Sequence, residues 1–180
     1  MDFEELLREF ERQLTSKLTE SMVDAGVVGF KSIVCYRSGM NVSVKGSMKE
    51  KEAALRDVCE AFKAGGKIRI AHKVLNDEIV RTALEIAGEH GKPGESIPTS
   101  RPKRTQTLYP VQFHTGLGDN DLDLLLSSPA HLQQIIRAYP NTNFVLLHSS
   151  YPYTREAGYL TSVYKNVYLD FGEVSTRKNK

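Results

Sequence analysis

The chain has 180 residues, which is enough for one domain with a hydrophobic core of its own. Its formal net charge is only +2, so the composition gives no reason to expect a nucleic-acid or membrane-surface partner. No apolar run approaches the roughly 20 residues of a membrane helix, and the acidic start at residues 1–5 is unlike a secretory signal. Cys35 and Cys59 lie far apart without a metal-site spacing, which predicts reduced thiols in a cytoplasmic protein.

Three helices and one short strand are predicted in the first half of the chain. Apolar residues recur with helical period from Phe3 to Met22, and this helix is expected to end near Gly26. The β-branched run at residues 27–34 predicts a short buried strand, and a loop follows at residues 35–45. Two more amphipathic helices have their apolar faces within residues 53–62 and 74–86, the second closing at His90-Gly91.

The second half begins with an irregular segment and then alternates strands with helices. Residues 92–110 contain four prolines, and an inserted irregular loop is predicted at residues 94–110. Short strands that alternate with helices imply parallel βαβ units. The predicted elements are strands at residues 111–114, 143–148 and 167–171, a mostly helical stretch at 121–138 with Pro129 at a helix start, and a helix at 153–164 with Thr154 as a possible cap.

Two histidines follow successive predicted strands. In parallel α/β folds, functional side chains gather at the carboxyl ends of strands, and His114 and His148 both end apolar runs there. Neutral imidazole is the commonest protein ligand for zinc-like metals, and a bound metal lowers the pKa of its water. The pair therefore predicts a metal site, although each histidine could also be a hydrogen-bonded residue at a strand end.

Four further polar residues are candidates for the same edge of the sheet. Lys31, inside the earliest strand, could bridge metals as a carbamate, bind a substrate carboxylate, or extend to the rim. Arg37 could bind an anionic substrate group, and Arg155, at the start of a helix, is a second candidate for the same role. Asp170 ends the last strand and could be a base or a capping group. Asp119, Asp121 and Asp123 more simply fit a solvated loop and a helix N-terminus.

Five blocks of the sequence resemble the amidohydrolase-related family of metal-dependent hydrolases. They are similar in particular to the fluG-like and plant nodulin-like branch, in which an amidohydrolase domain precedes a glutamine synthetase domain. The blocks are VGFKS at residues 28–32, QFHTGLGD at 112–119, VLLHSSYP at 145–152, REAGYL at 155–160 and YLDFG at 168–172.

The resemblance implies a (β/α)8 barrel that hydrolyses C–N, C–O or C–C bonds with one or two divalent metals, with zinc expected. It matches His114 to the metal ligand of the fifth strand and His148 to the ligand or catalytic electrophile of the sixth. It matches Lys31 to the fourth strand, where binuclear members carry a carbamylated lysine. The implied substrate is a small amide or related carbonyl compound, possibly of γ-glutamyl type.

Some parts of the family pattern have no counterpart among these residues. His-x-His, which the family carries on its first strand, occurs nowhere in the sequence, and the resemblance stops before the eighth-strand aspartate. We therefore expect a partial barrel of about strands four to seven, with residues 1–180 as one incomplete domain. The alternative is a catalytically inactive truncated fragment or a partner-binding remnant.

Two segments look foreign to the family. We expect residues 94–110 and 175–180 to come from incorrect splicing in the gene model, because Lys92-Pro93 would join Val111-Gln112 smoothly. Sequencing of the transcript across both junctions tests this. A weaker alternative assigns the basic residues 101–104 to nucleic-acid binding or targeting, but four such residues in a loop are usually just solvated.

Overall fold

Five α-helices and four parallel strands form the part of the chain that the structure describes. The computed structural model describes residues 2–24, 26–67, 70–89 and 109–172. In chain order the elements are α1 (Phe3–Val23), β1 (Phe30–Ser32), α2 (Met48–Lys63), α3 (Lys73–Glu89), β2 (Pro110–Phe113), α4 (Gln133–Ala138), β3 (Asn143–Leu146), α5 (Thr154–Val163) and β4 (Val167–Leu169). The predicted α/β class is confirmed. Across the described residues, no helix combines the length and apolar character that crossing a bilayer requires.

The strands form one sheet in the order β1-β2-β3-β4, and every neighbouring pair is parallel. Each strand therefore lies beside the one that precedes it in sequence, with helical connections between them. Side chains alternate between the two faces of such a sheet. Phe113 and Phe144 point to the helical side, are fully buried and stack with ring centroids 5.7 Å apart. They place the main core between the sheet and the helices.

The opposite face of the sheet is less covered. One register row across it contains Lys31, Gln112, Val145 and Tyr168. Lys31 and Tyr168 at the two ends of this row are exposed, and the two central residues are half-buried. The described helices thus pack against one face only, and the polar strand ends are positioned by the sheet itself.

The N-terminal helices begin where side chains cap their free N–H groups. Asp2 and Glu5 form a reciprocal capping box at α1, and Ser47 and Glu50 form another at α2. The box at Ser47 starts α2 at Met48, five residues before the apolar pattern begins at Ala53. A polar first turn gives no periodic signal, so only the capping residues could have set this boundary.

An ion-pair network joins the first three helices beside a small apolar cluster of Leu7, Ala54, Leu55 and Leu75. Glu78 of α3 pairs with Lys51 of α2 at 3.2 Å and with Arg81 one turn further on, and Lys51 also pairs with Glu11 of α1. Their side chains are at most 26% exposed. Because each buried charge has a partner, the network fixes how these helices meet.

The stretch predicted as mostly helical at residues 121–138 is broken into short helices, and Pro129 begins one of them, as predicted. Its α-helical part is only Gln133–Ala138, after 3-10 turns at Leu125–Ser127 and Pro129–Leu132. Two local causes are visible. The Asp123 carboxylate accepts from the N–H groups of Leu125 and Leu126, which stabilises a turn. Ser128 is extended before Pro129, as the proline ring requires, so no helix can run through.

Other boundaries also shift. The strand predicted at residues 27–34 is only Phe30–Ser32, and the chain turns into a 3-10 helix at Val34–Tyr36. Tyr153, without a side-chain cap, precedes α5 in place of the predicted Thr154 cap. The insert predicted at 94–110 reaches two residues too far, since Tyr109 is buried in the core and Pro110 begins β2. Residues 94–108, the basic residues 101–104, His90-Gly91 and residues 175–180 lie outside the described residues.

Candidate functional site

The two predicted histidines lie together at the carboxyl ends of β2 and β3. Their ring centroids are 4.5 Å apart with an interplanar angle of 62°. Nδ1 of His114 and Nε2 of His148 are the facing atoms, 3.1 Å apart. The structure thus brings together the pair on which the sequence-based metal prediction rests.

Neighbouring backbone assigns the protonation of His114. Its Nε2 lies 2.6 Å from the carbonyl oxygen of Leu117, which can only accept, so in the neutral ring Nε2 carries the hydrogen. Nδ1 is then the lone-pair atom that faces His148. In the metal-free protein Nε2 of His148 donates to it, because one of two facing nitrogens must carry a proton.

Tyr36 is a site residue that the sequence analysis missed. It sits in the 3-10 turn after β1, where a loop was predicted. Its hydroxyl lies 3.0 Å from Nε2 of His114 and accepts from the N–H of Asp119 at 3.2 Å. Burial raises the pKa of the Tyr36 phenol, so it stays protonated at neutral pH. The only available signal was a tyrosine just past the carboxyl end of a strand.

A glycine makes room for Tyr36. A Cβ atom on Gly118 would lie 2.3 Å from the Tyr36 hydroxyl oxygen and 3.1 Å from Cδ2 of Leu122. Glycine at this position therefore lets residues 117–119 pass close to Tyr36 and to the His114 ring.

The sheet register does not by itself bring His148 to face His114. Phe113 pairs with Leu146, and the N–H of Leu147 donates to the carbonyl of Phe113, so continued pairing sets His114 opposite Leu147. His148 is one residue further along. In an extended strand its side chain would point to the opposite face of the sheet.

A left-handed turn re-aims His148. His148, Ser149 and Ser150 have φ values of 62°, 51° and 52°. Non-glycine residues rarely adopt this region, and each such residue costs of order 1–2 kcal/mol. The turn must therefore be held by specific contacts around it.

Asp170 supplies some of these contacts. Its Oδ2 accepts from the N–H of His148 at 3.2 Å and from that of Gly172 at 3.1 Å. Its carbonyl oxygen accepts from the N–H of Ser149 at 2.7 Å. Of the two roles left open for Asp170, base or capping group, these bonds fit the capping group.

Thr115 supplies the others. Its Oγ1 donates to the carbonyl of Leu147 at 2.8 Å and lies 2.7 Å from Oγ of Ser150. Both hydroxyl residues are fully buried. Thr115, which follows His114, thus contacts residues before and after His148 in the sequence.

Lys31 and Arg37 are placed together, beside the histidine pair rather than in it. Both are exposed and line a cavity of about 280 Å³ along β1, whose lining includes neither His114 nor His148. Its floor is apolar, with Phe30 and residues of α1 and α3. Lys31 pairs in register with Gln112, two residues before His114.

Arg155 lies in another cleft. It lines a depression of about 300 Å³ between α4 and α5 with Gln133, Glu156 and Tyr159. The histidines are not part of that lining, so the structure does not bring Arg155 to them. Among the described residues, no group of three or more histidine, cysteine or carboxylate side chains could hold a metal ion.

Known proteins with similar sequences and structures point to one family. A sequence model of the amidohydrolase family matches residues 109–180. The protein fluG of Emericella nidulans is 45% identical over 174 residues, which are 96% of this chain and 19% of fluG. A crystal structure of a protein assigned as a metal-dependent hydrolase from Lactobacillus casei superposes with a TM-score of 0.69 at 27% identity. That match covers 94% of this chain and 41% of the other.

The amidohydrolase resemblance predicted from the sequence motifs, including its fluG-like character, is confirmed by these matches. The chain spans about a fifth of fluG and about two fifths of the crystallised hydrolase.

Proposed function

We propose that this chain carries the His114–His148 part of a divalent-metal hydrolase site of the amidohydrolase type. The sheet order, in which each strand lies beside its predecessor, supports a section of a (β/α)8 barrel. The observation that carries the proposal is the facing pair of imidazole nitrogens at neighbouring strand ends, 3.1 Å apart.

That spacing fits two ligands of one metal ion. With zinc–nitrogen bonds of about 2.0–2.1 Å and tetrahedral angles, two ligand nitrogens lie about 3.3 Å apart. The observed separation is close to this value, and small ring rotations would accommodate it. Catalytic zinc usually has three protein ligands, and among the described residues no third histidine, cysteine or carboxylate joins this pair.

The surrounding residues suit the roles that such a site needs. A divalent metal would supply a bound water of lowered pKa as the nucleophile. Nδ1 of His114 would bind the metal, while the Leu117 carbonyl on its Nε2–H fixes the ring and raises its basicity. His148 would bind through Nε2 in the tautomer that carries hydrogen on Nδ1, or polarise the substrate carbonyl.

The substrate we propose is a small amide or related carbonyl compound, with a γ-glutamyl amide as the specific candidate. Its carboxylate suits Arg37, which follows Tyr36 directly and has no ion-pair partner among the described residues. Lys31 as a bridging carbamate stays a prediction, and so does Arg155 as a substrate ligand. A glutamine synthetase domain as the fused partner is supported only by the greater length of fluG.

Metal analysis of the purified protein tests the proposal. After loading with zinc, cobalt or manganese and gel filtration, we expect a stoichiometric divalent ion in the wild type and its loss in both His114→Ala and His148→Ala. His72→Ala is the matched control, because His72 lies before α3 and pairs with Asp57 of α2. Circular dichroism checks that each variant is folded.

Two results would overturn the proposal. One is a folded wild-type protein that retains no divalent ion after loading. The other is equal retention by the wild type and both site variants. Loaded protein that releases ammonia from γ-glutamyl amides would in addition support the proposed substrate.

A further inference from the structure

A pair of buried hydroxyl groups connects the two histidine loops. Thr115 follows His114, and its Oγ1 contacts the residues on both sides of His148, namely Leu147 and Ser150. Both hydroxyl residues are 0% exposed, so water cannot replace either partner. The contacts span from the end of β2 to the turn after β3.

The direction of each hydrogen bond follows from counting protons. A threonine hydroxyl has one hydrogen, and the Leu147 carbonyl can only accept, so Thr115 donates its hydrogen to Leu147. The Ser150 hydroxyl must then donate to Oγ1 of Thr115. The chain runs from Ser150 to Thr115 to Leu147, and every group in it is satisfied.

This chain of hydrogen bonds spans His148, whose side chain the sheet register alone would direct to the face opposite His114. Leu147 is the last residue whose N–H continues the β2–β3 ladder, and Ser150 is the last of the three left-handed residues. A single buried oxygen atom binds both ends of the turn. It therefore opposes relaxation of the turn to an extended chain, in which His148 would leave His114.

We propose that Thr115 is a positioning residue that sets the spacing between His114 Nδ1 and His148 Nε2 by closing the left-handed turn. The role in metal binding rests on the proposed function, but the geometric role does not. Asp170 closes the same turn from the side of β4, through the N–H groups of His148 and Ser149. Thr115 differs in that it belongs to the segment of the other histidine.

The test compares Thr115→Val with Thr115→Ser. Valine keeps the shape and removes the hydroxyl, whereas serine keeps the hydroxyl and removes a methyl group. Thr161→Val is the matched control, because among the described residues its hydroxyl bonds to Gly158 of its own helix and to no other. The metal-free readout is the nuclear Overhauser effect between the ring protons of the two histidines. The second readout is zinc affinity by competition with a chromogenic chelator.

We expect Thr115→Val to lose the ring-to-ring Overhauser effect and to bind zinc roughly 10- to 100-fold more weakly, the range found when a ligand's supporting hydrogen bond is removed. Thr115→Ser and Thr161→Val should keep the wild-type values. Wild-type values in Thr115→Ser would show that the hydroxyl hydrogen bonds, and not the packing of the threonine methyl group, position His148. If Thr115→Val does not fold, Ser150→Ala removes one bond of the chain and should weaken the Overhauser effect, with Ser162→Ala as its control.

The two readouts keep this inference apart from the proposed function. Loss of the Overhauser effect in Thr115→Val with no zinc binding by the wild type supports the positioning role and refutes the metal site. A folded Thr115→Val, or in its place a folded Ser150→Ala, that keeps the wild-type Overhauser effect overturns the positioning role, whatever the protein binds. The same conclusion follows if serine fails to rescue.

Discussion

Removal of the Asp170 side chain is expected to destabilise the fold by about 2 kcal/mol. The carboxylate accepts from two N–H groups, but Gly172 is exposed and its N–H can turn to water. The N–H of His148 belongs to a residue that is 7% exposed, so its loss is not compensated. A hydrogen bond to a charged group contributes about 1.5–3 kcal/mol, which sets the expected cost of Asp170→Ala.

Asp170→Asn separates the acceptor from the charge. The amide oxygen can still accept from His148, so the expected loss is only about 1 kcal/mol, the usual net value of a neutral hydrogen bond. Urea unfolding followed by circular dichroism measures both variants, with Asp57→Ala on the exposed side of α2 as a control that should stay within about 0.5 kcal/mol. If Asp170→Ala unfolds at the wild-type urea concentration, the capping role is refuted. If alanine and asparagine cost the same, the negative charge rather than the acceptor geometry is what matters.

Two further predictions concern residues beside the site. Gly118→Ala should displace Tyr36, because the new Cβ would lie 2.3 Å from its hydroxyl oxygen, and the loss of stability should be smaller in a Tyr36→Phe background. A double-mutant cycle by urea unfolding measures this coupling, and additive losses would contradict it. Burial raises the pKa of the Cys35 thiol to about 12, so native protein at pH 8 should react with a disulfide reagent at Cys59 and not at Cys35. Equal reactivity of the two thiols would refute the burial of Cys35. Because the pKa of the Cys35 thiol is raised in the folded state, its contribution to stability is fully present below its unfolded pKa and is lost as the pH rises toward 12.

The parts of the fold that could be predicted from sequence are those with a strong apolar period. The first strand was located by a β-branched run and the other three by short apolar runs that alternate with helices, while helical spacing located α1 and α3, because burial of one face is what the sequence pattern records. The region around Ser128 is helical on both sides, as predicted, but the break at Ser128 was missed. Its helical composition was real, but an extended residue before Pro129 and the Asp123 turn decide the backbone there.

The two histidines of the candidate site were predicted from the sequence, but the residues that hold them in place were not. His114 and His148 were found because polar residues at the ends of apolar strands stand out. Tyr36, Thr115 and Ser150 were not found, because a tyrosine or hydroxyl residue near a strand end is common and its partner is distant in sequence. The left-handed conformation of three consecutive non-glycine residues also leaves no compositional signal, since tertiary hydrogen bonds impose it.

The two histidines present different nitrogens to each other, and the backbone explains why. His114 lies at the end of the β2 ladder and faces its neighbour with Nδ1, the nitrogen nearer to its own backbone. His148 lies one residue past Leu147, the register partner of His114. Its left-handed turn directs the side chain back toward His114, which it contacts through Nε2, the nitrogen farther from its backbone. Asparagine places its polar atoms near the position of Nδ1, and glutamine places them near that of Nε2.

This geometry predicts opposite tolerance at the two positions. His114→Asn should retain more zinc affinity than His114→Gln, whereas His148→Gln should retain more than His148→Asn. Each favourable variant should bind about tenfold more tightly than its unfavourable partner, as expected when a donor atom stays in place rather than leaving the site. Competition with a chromogenic chelator measures all four variants. The same order at both positions would mean that the facing atoms are not Nδ1 and Nε2, and the spacing argument for a shared metal would fail with them.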